Sequence, residues 1–147
     1  MEITSARPAA ILLGEDNPAD VYLIRQALEE NHVTYTLRVA THGGEMMAAV
    51  ADQSAQVPDL IILDLNLPRH DGLEILRFIR TSSHMKGVPI VILTSSDSPK
   101  DRIAVSEYGA DCYIRKSSNL TEFMAIGKIL RELLVPPGKA HCKSQAG

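Results

Sequence analysis

Four short apolar runs constrain this chain more than any other feature: Ile11 to Leu13, Leu60 to Leu63, Ile90 to Leu93 and Cys112 to Ile114. Each is continuous rather than alternating, so a strand built from it carries apolar side chains on both faces and both faces must be covered. A weaker run lies at Tyr35 to Val39. Between the runs the apolar period is helical, over Ala19 to Asn31, Gly44 to Ala51, Gly72 to Arg80, Lys100 to Tyr108 and Leu120 to Leu134. The punctuation agrees: Pro18 suits a first helical turn, Asp97-Ser98-Pro99 and Ser118-Asn119 offer caps, and Gly109 stands where a left-handed helix end needs it. Strict βα alternation with five strands predicts an α/β fold, a doubly wound five-stranded parallel sheet with five helices, and is too short for an eight-stranded barrel.

At 147 residues one domain is expected, with about two thirds of the extended chain's surface buried and no metal or disulfide staple required. Pro136-Pro137-Gly138 marks a composition shift. The expected organisation is an N-terminal extension over 1–8, a domain over 9–135, and a disordered tail over 136–147, too short for an output domain. A formal net charge of −3 disfavours non-specific nucleic-acid binding. No apolar run approaches the roughly 18 residues of a membrane span and the N-terminus has no signal-like segment, so a cytoplasmic protein is expected. Cys112 reads as a small core residue and Cys142 as an exposed thiol, both expected reduced.

The strands change character at their C-terminal ends. Glu15-Asp16 follow the first, Asp64 closes the third, Thr94 closes the fourth, and Lys116 lies just beyond the fifth. In open parallel sheets that edge is where ligands bind. Each residue alone reads as a solvated turn or a helix cap; four segments sending carboxylates, a hydroxyl and an ammonium to one rim do not. Clustered carboxylates raise one another's pKa unless a cation lies among them. Magnesium suits an all-oxygen set, and the scattered histidines disfavour zinc. Phosphoryl transfer onto an aspartate is the reaction class that uses a metal, a carboxylate nucleophile, a lysine and a hydroxyl together.

Glu15-Asp16, Leu63-Asp64-Leu65-Asn66-Leu67-Pro68 with Asp71-Gly72, Leu93-Thr94-Ser95 and Tyr113-Ile114-Arg115-Lys116 resemble, in order and spacing, the receiver domain of two-component response regulators, over about residues 9 to 135. Leu65 to Pro68, and Tyr113 to Lys116 with Ser117 and Asn119-Leu120, further resemble the small regulators that partner bacterial phytochrome histidine kinases. The resemblance implies a flavodoxin-like sheet of order 2-1-3-4-5. It implies Asp64 as phosphoacceptor, Asp16 and the Asn66 backbone carbonyl as direct Mg2+ ligands, Glu15 as a ligand through water, and Lys116 and Thr94 as partners of the phosphoryl oxygens. Tyr113 reads by default as a half-buried strand aromatic, and the family makes it a switch that turns inward with Thr94. The implied partners are a sensor histidine kinase, with the narrower resemblance implying one of phytochrome type, a downstream phosphorelay protein, and a second copy docking through the fourth helix, fifth strand and fifth helix, where Arg102, Glu107 and Arg131 offer both signs of charge. Leu23 and Ala27 suit core packing and kinase docking equally, and Arg69 and His70 read as a solvated loop.

Two residues depart from the family. Ser117 follows Lys116 where most receivers have a cis proline; a cis bond to a non-proline residue costs about 3 kcal/mol, which favours a trans path here. Gly14 precedes the acidic pair where a branched residue is commoner. Two other functions share these residue types. A phosphohydrolase with an aspartyl nucleophile places a second aspartate two residues on as proton donor, and this chain has Asn66 there. A phosphorylation-independent binding module or nucleotide binder of the same fold lacks support from a glycine-rich phosphate loop, because Gly14-Glu15-Asp16 puts negative charge where a phosphate would lie. No turnover of an external substrate is expected.

Overall fold

All five apolar runs form strands. The computed structural model describes residues 7–134, in the order β1 (Ala9–Gly14), α1 (Pro18–Glu30), β2 (Tyr35–Ala40), α2 (Gly43–Ala51), β3 (Leu60–Leu63), α3 (Gly72–Thr81), β4 (Ile90–Thr94), α4 (Pro99–Glu107), β5 (Cys112–Arg115) and α5 (Leu120–Leu134). One 3₁₀ turn, Ser83–Met85, was not expected. The sheet has the order β2-β1-β3-β4-β5 with every pair parallel. The expected tail over 136–147 and residues 1–6 of the expected extension lie outside the described residues.

The two-sided strands are explained by what covers them. Ile61 and Leu63 point into one core, with Ile75, Leu76 and Ile79 of α3. Leu60 and Ile62 point into the other, with Ile24 and Leu28 of α1 and Phe123, Ile126 and Leu130 of α5. Ala27 is fully buried, which removes it from any docking surface, and Leu23 packs half-buried on the same core. Cys112 is buried as expected; Cys142 lies outside the described residues.

Helix starts follow from their caps. Asn17 accepts the N–H of Ala19 and Pro18 takes the first helical position of α1. Asp71, Ser98 and Asn119 cap α3, α4 and α5. Gly109 has φ +91°, the left-handed conformation expected of it.

At the N-terminal edge of the sheet, two aspartates pin the register in the same way. Asp59, just before β3, accepts the N–H of Ala10 at 2.8 Å and returns its own N–H to the Ala10 carbonyl. Asp111, just before β5, does the same with Ile90. Each carboxylate also meets an arginine, Arg7 for Asp59 and Arg80 for Asp111.

Helices α1 and α5 approach through Gly127. A Cβ there would run into the Ala27 carbonyl oxygen and the Asn31 amide nitrogen. Alanine gains about 1 kcal/mol of helix propensity over glycine, whereas forcing extra volume into packed surroundings costs about 1–3 kcal/mol. Backbone cannot step aside as a side chain can, so the cost should win. Gly127→Ala is expected to lower the thermal midpoint by about 3 °C per kcal/mol lost; a midpoint equal to or above the wild type in a calorimetric scan would contradict this contact.

Candidate functional site

Backbone bonding that continues past the strand ends carries the site residues to one place. Beyond β1, the N–H of Glu15 donates to the Ala40 carbonyl at 2.9 Å; beyond β3, the N–H of Asp64 donates to the Gly14 carbonyl at 3.0 Å; beyond β5, the N–H of Lys116 donates to the Thr94 carbonyl at 2.8 Å. Because β1 and β3 are parallel neighbours and the strand order reverses between them, Glu15 and Asp64 face one another in the crevice.

The Lys116 ammonium closes this crevice. Its Nζ lies 2.8 Å from Glu15 Oε1, 2.7 Å from Asp20 Oδ2 and 2.8 Å from Asp64 Oδ2. The side chains are withdrawn from water, 1% exposed for Glu15, 6% for Asp64 and 13% for Lys116. Burial alone pulls the ammonium pKa down, but the hydrogen bonds it donates to Asp20, Asp64 and Glu15 outweigh it and hold the lysine charged, above its ordinary range. For Glu15, burial is the largest influence and pushes the carboxyl up; Lys116 pulls it back, nearby Asp64 pushes again, and it settles at about 6.

Asp16 stands exposed beside this pair. One oxygen from each of Glu15, Asp16 and Asp64 can be chosen so that all lie within 4.8 Å of one another. An all-carboxylate donor set fits a hard divalent cation of the magnesium or calcium kind.

A second line of contacts leads away from Asp64. Its Oδ1 accepts the N–H of Asn66 at 2.9 Å, and the Asn66 amide donates to Thr94 Oγ1 at 3.2 Å. Thr94 is fully buried, and its hydroxyl also accepts the N–H of Ser96 at 3.3 Å. The Ser96 carbonyl accepts the Tyr113 hydroxyl at 2.8 Å. Tyr113 is turned in and buried, more than the half-buried default expected of it, and the Arg102 guanidinium lies 4.5 Å above its ring.

The structure thus gathers Glu15, Asp16, Asp64 and Lys116 tightly and joins Thr94, Asn66 and Tyr113 to them by hydrogen bonds. Two features escaped the sequence reading. Asp20 reaches Lys116 across 96 positions, and its sole sequence signal was an acid in the first turn of α1, which helix-dipole complementarity already accounts for. The Asn66 side chain, valued for its backbone, bridges to Thr94. Arg69 is exposed as expected but adopts φ +79°; His70 is half-buried, with its ring against Gly43, whose N–H holds the Pro68 carbonyl at 3.0 Å.

Residues 11–127 match the model of the response regulator receiver domain. The response regulator Rcp1 of Synechocystis sp. is 37% identical over 126 residues, spanning 83% of this chain and 86% of that protein. The structure of the Mn(2+)-bound form of Rcp1 superimposes with a TM-score of 0.80 at 34% identity, covering 88% of this chain and 96% of that one. That of the phosphorylated cyanobacterial phytochrome response regulator RcpA gives the same TM-score and coverage at 36% identity. The response regulator MprA of Mycolicibacterium vanbaalenii is 33% identical over 129 residues, 88% of this chain but 53% of its own length.

Removing the ammonium while keeping the stem isolates its electrostatic part. Lys116→Met leaves Glu15 and Asp64 buried without their cation, and breaking a buried pair from one side costs about 3–5 kcal/mol. The abandoned carboxyls are then protonated more readily in the folded than in the unfolded chain, so the native state binds more protons and stability falls as pH rises. In urea titrations with chelator, Lys116→Met is expected to lose more stability at pH 8 than at pH 5, and magnesium at pH 8 to restore part of it. A loss independent of pH would mean that the ammonium does not balance these acids.

Proposed function

The chain belongs to the response regulator receiver family of phosphorylation-based two-component signalling, and from that premise we propose that Asp64 accepts a phosphoryl group from the phosphohistidine of a sensor histidine kinase. A carboxylate oxygen of Asp64 attacks phosphorus, the O–P bond forms as the N–P bond breaks, and the imidazole leaves. The observation that carries this reading is the convergence of Glu15, Asp20 and Asp64 on Lys116 beside Asp16, on the same crevice as Thr94.

Each residue has a role there. Asp16, Asp64 and the Asn66 carbonyl would hold Mg2+ directly and Glu15 would hold it through water. Bound magnesium supplies positive charge among the acids and on the phosphoryl oxygens. The Lys116 ammonium, already 2.8 Å from Asp64, pairs with one phosphoryl oxygen. The Thr94 hydroxyl accepts from both Asn66 and Ser96, so its own hydrogen serves to donate to another. Moving Thr94 pulls on the Ser96 loop that holds the Tyr113 hydroxyl, and the inward tyrosine is thereby coupled to the phosphoryl group as the switch. Asn66, where a phosphohydrolase has its proton-donating acid, argues against turnover; the protein assists its own phosphorylation and dephosphorylation only.

The likeness to RcpA, a phytochrome response regulator, supports a kinase of phytochrome type; we take the exchange to occur in the cytoplasm, with a later phosphorelay protein as an output. Among the described residues no helix is long and apolar enough to cross a membrane. The receiver is taken to span 9–135. Its output face is that of α4, β5 and α5, where Ile103 is 61% exposed and Asp97 gathers Arg102 and Arg115; a second copy docks there on phosphorylation.

With acetyl phosphate or a phosphorylated kinase, the wild type is expected to take up label only with a divalent cation present, and Asp64→Asn to take up none. Labelling of Asp64→Asn at the native rate would overturn the assignment. For the docking face, light scattering with beryllofluoride is expected to give a doubled mass in the wild type but not in Thr94→Ala; an unchanged mass in the wild type removes the dimer.

A further inference from the structure

We infer that Asp20 is a positioning residue for phosphoryl transfer: from the first turn of α1 it anchors the Lys116 ammonium where the phosphoryl oxygen will be. This inference rests on the role given to Lys116 above. An ammonium has three hydrogens, and here each has a carboxylate within 2.8 Å, Asp20 being the nearest at 2.7 Å. The three acids are not equivalent. Glu15 and Asp64 also belong to the group of oxygens that fits a divalent cation, and Asp20 does not. Once a cation and a phosphoryl group draw on Glu15 and Asp64, Asp20 is the carboxylate left to hold the lysine.

The surroundings explain why an anchor is needed. The residues after Lys116 satisfy one another: Ser117 Oγ donates to Glu122 at 2.6 Å and accepts the N–H of Asn119 at 3.0 Å, and Asn119 caps α5 at Glu122. These contacts fix the loop downstream of Lys116 and place nothing at its ammonium. Asp20 comes from a helix whose start is set by the Asn17 cap and Pro18, so its carboxylate is presented from a rigid element rather than a loop. Its side chain is 19% exposed, unlike that of an acid serving only the helix dipole at the surface.

Charge alone argues the other way. A further acid in a site that receives an anion repels the donor and takes up part of the lysine's charge. Asp20 therefore helps only if fixing the ammonium outweighs that repulsion. The effect of removing its charge thus has opposite signs for the two possibilities.

Asp20→Asn keeps the shape and removes the charge; Asp20→Glu restores it. With 15N-lysine protein, the Lys116 ammonium resonance, identified by its loss in Lys116→Arg, is expected to persist in the wild type with magnesium and beryllofluoride, to broaden away in Asp20→Asn, and to return in Asp20→Glu. Phosphorylation by acetyl phosphate is expected to slow about tenfold in Asp20→Asn, the scale of a small misplacement of a catalytic group, with magnesium affinity unchanged. An intact resonance with an equal or faster rate overturns the inference. A fall in magnesium affinity as large as that of Asp16→Ala also overturns it, because Asp20 would then be a metal ligand. If the wild type itself takes no phosphoryl group, the reading of the site fails instead, while the resonance of the resting protein still reports whether Asp20 holds Lys116.

Discussion

One ammonium shared by three carboxylates organises this molecule. Glu15 and Asp64 are buried acids brought face to face by neighbouring strands, and buried like charges in that arrangement drive one another toward neutrality. Lys116 offsets the repulsion between them, while burial still pushes the Glu15 carboxyl up to about 6. It arrives from the edge strand of the sheet and Asp20 from the first helix, so the contact joins β1, β3, β5 and α1 in a single cluster. Every other feature of the rim is arranged around it.

The cluster extends into a relay because Asp64 uses its two oxygens differently. Oδ2 faces Lys116, whereas Oδ1 is tied to Asn66 and through it to Thr94, Ser96 and Tyr113. The carboxylate is thereby connected to an aromatic ring on the α4–β5 side through partly buried hydrogen bonds of 2.8 to 3.3 Å. A polar network whose members are satisfied in this way is rigid and is worth more than its separate bonds.

Much of this was legible in the sequence, and the parts that were not have local reasons. The central strands were readable because two-sided burial forces continuous apolar runs. β1 extends beyond its run because Ala9, Ala10 and Gly14 continue the backbone ladder with almost no side-chain signal. α2 begins one residue early because His42 caps it, its ring nitrogen accepting the N–H of Glu45, a role usually filled by Ser, Thr, Asp or Asn. Glu15-Asp16, Asp64 and Lys116 were legible because each follows or closes an apolar strand. Asp20 was not, because nothing local distinguishes an acid that serves its own helix from one that reaches across the fold.

The aspartate pins at Asp59 and Asp111 sit at the opposite edge of the sheet from Asp64 and Lys116, five residues along β3 and β5, about 16 Å for strands rising about 3.3 Å per residue. The residues that set register and those that handle charge are therefore different residues on the same strands. Substitutions that tighten or loosen the arginine–aspartate pins at one edge thus leave untouched the residues that gather around Lys116 at the other.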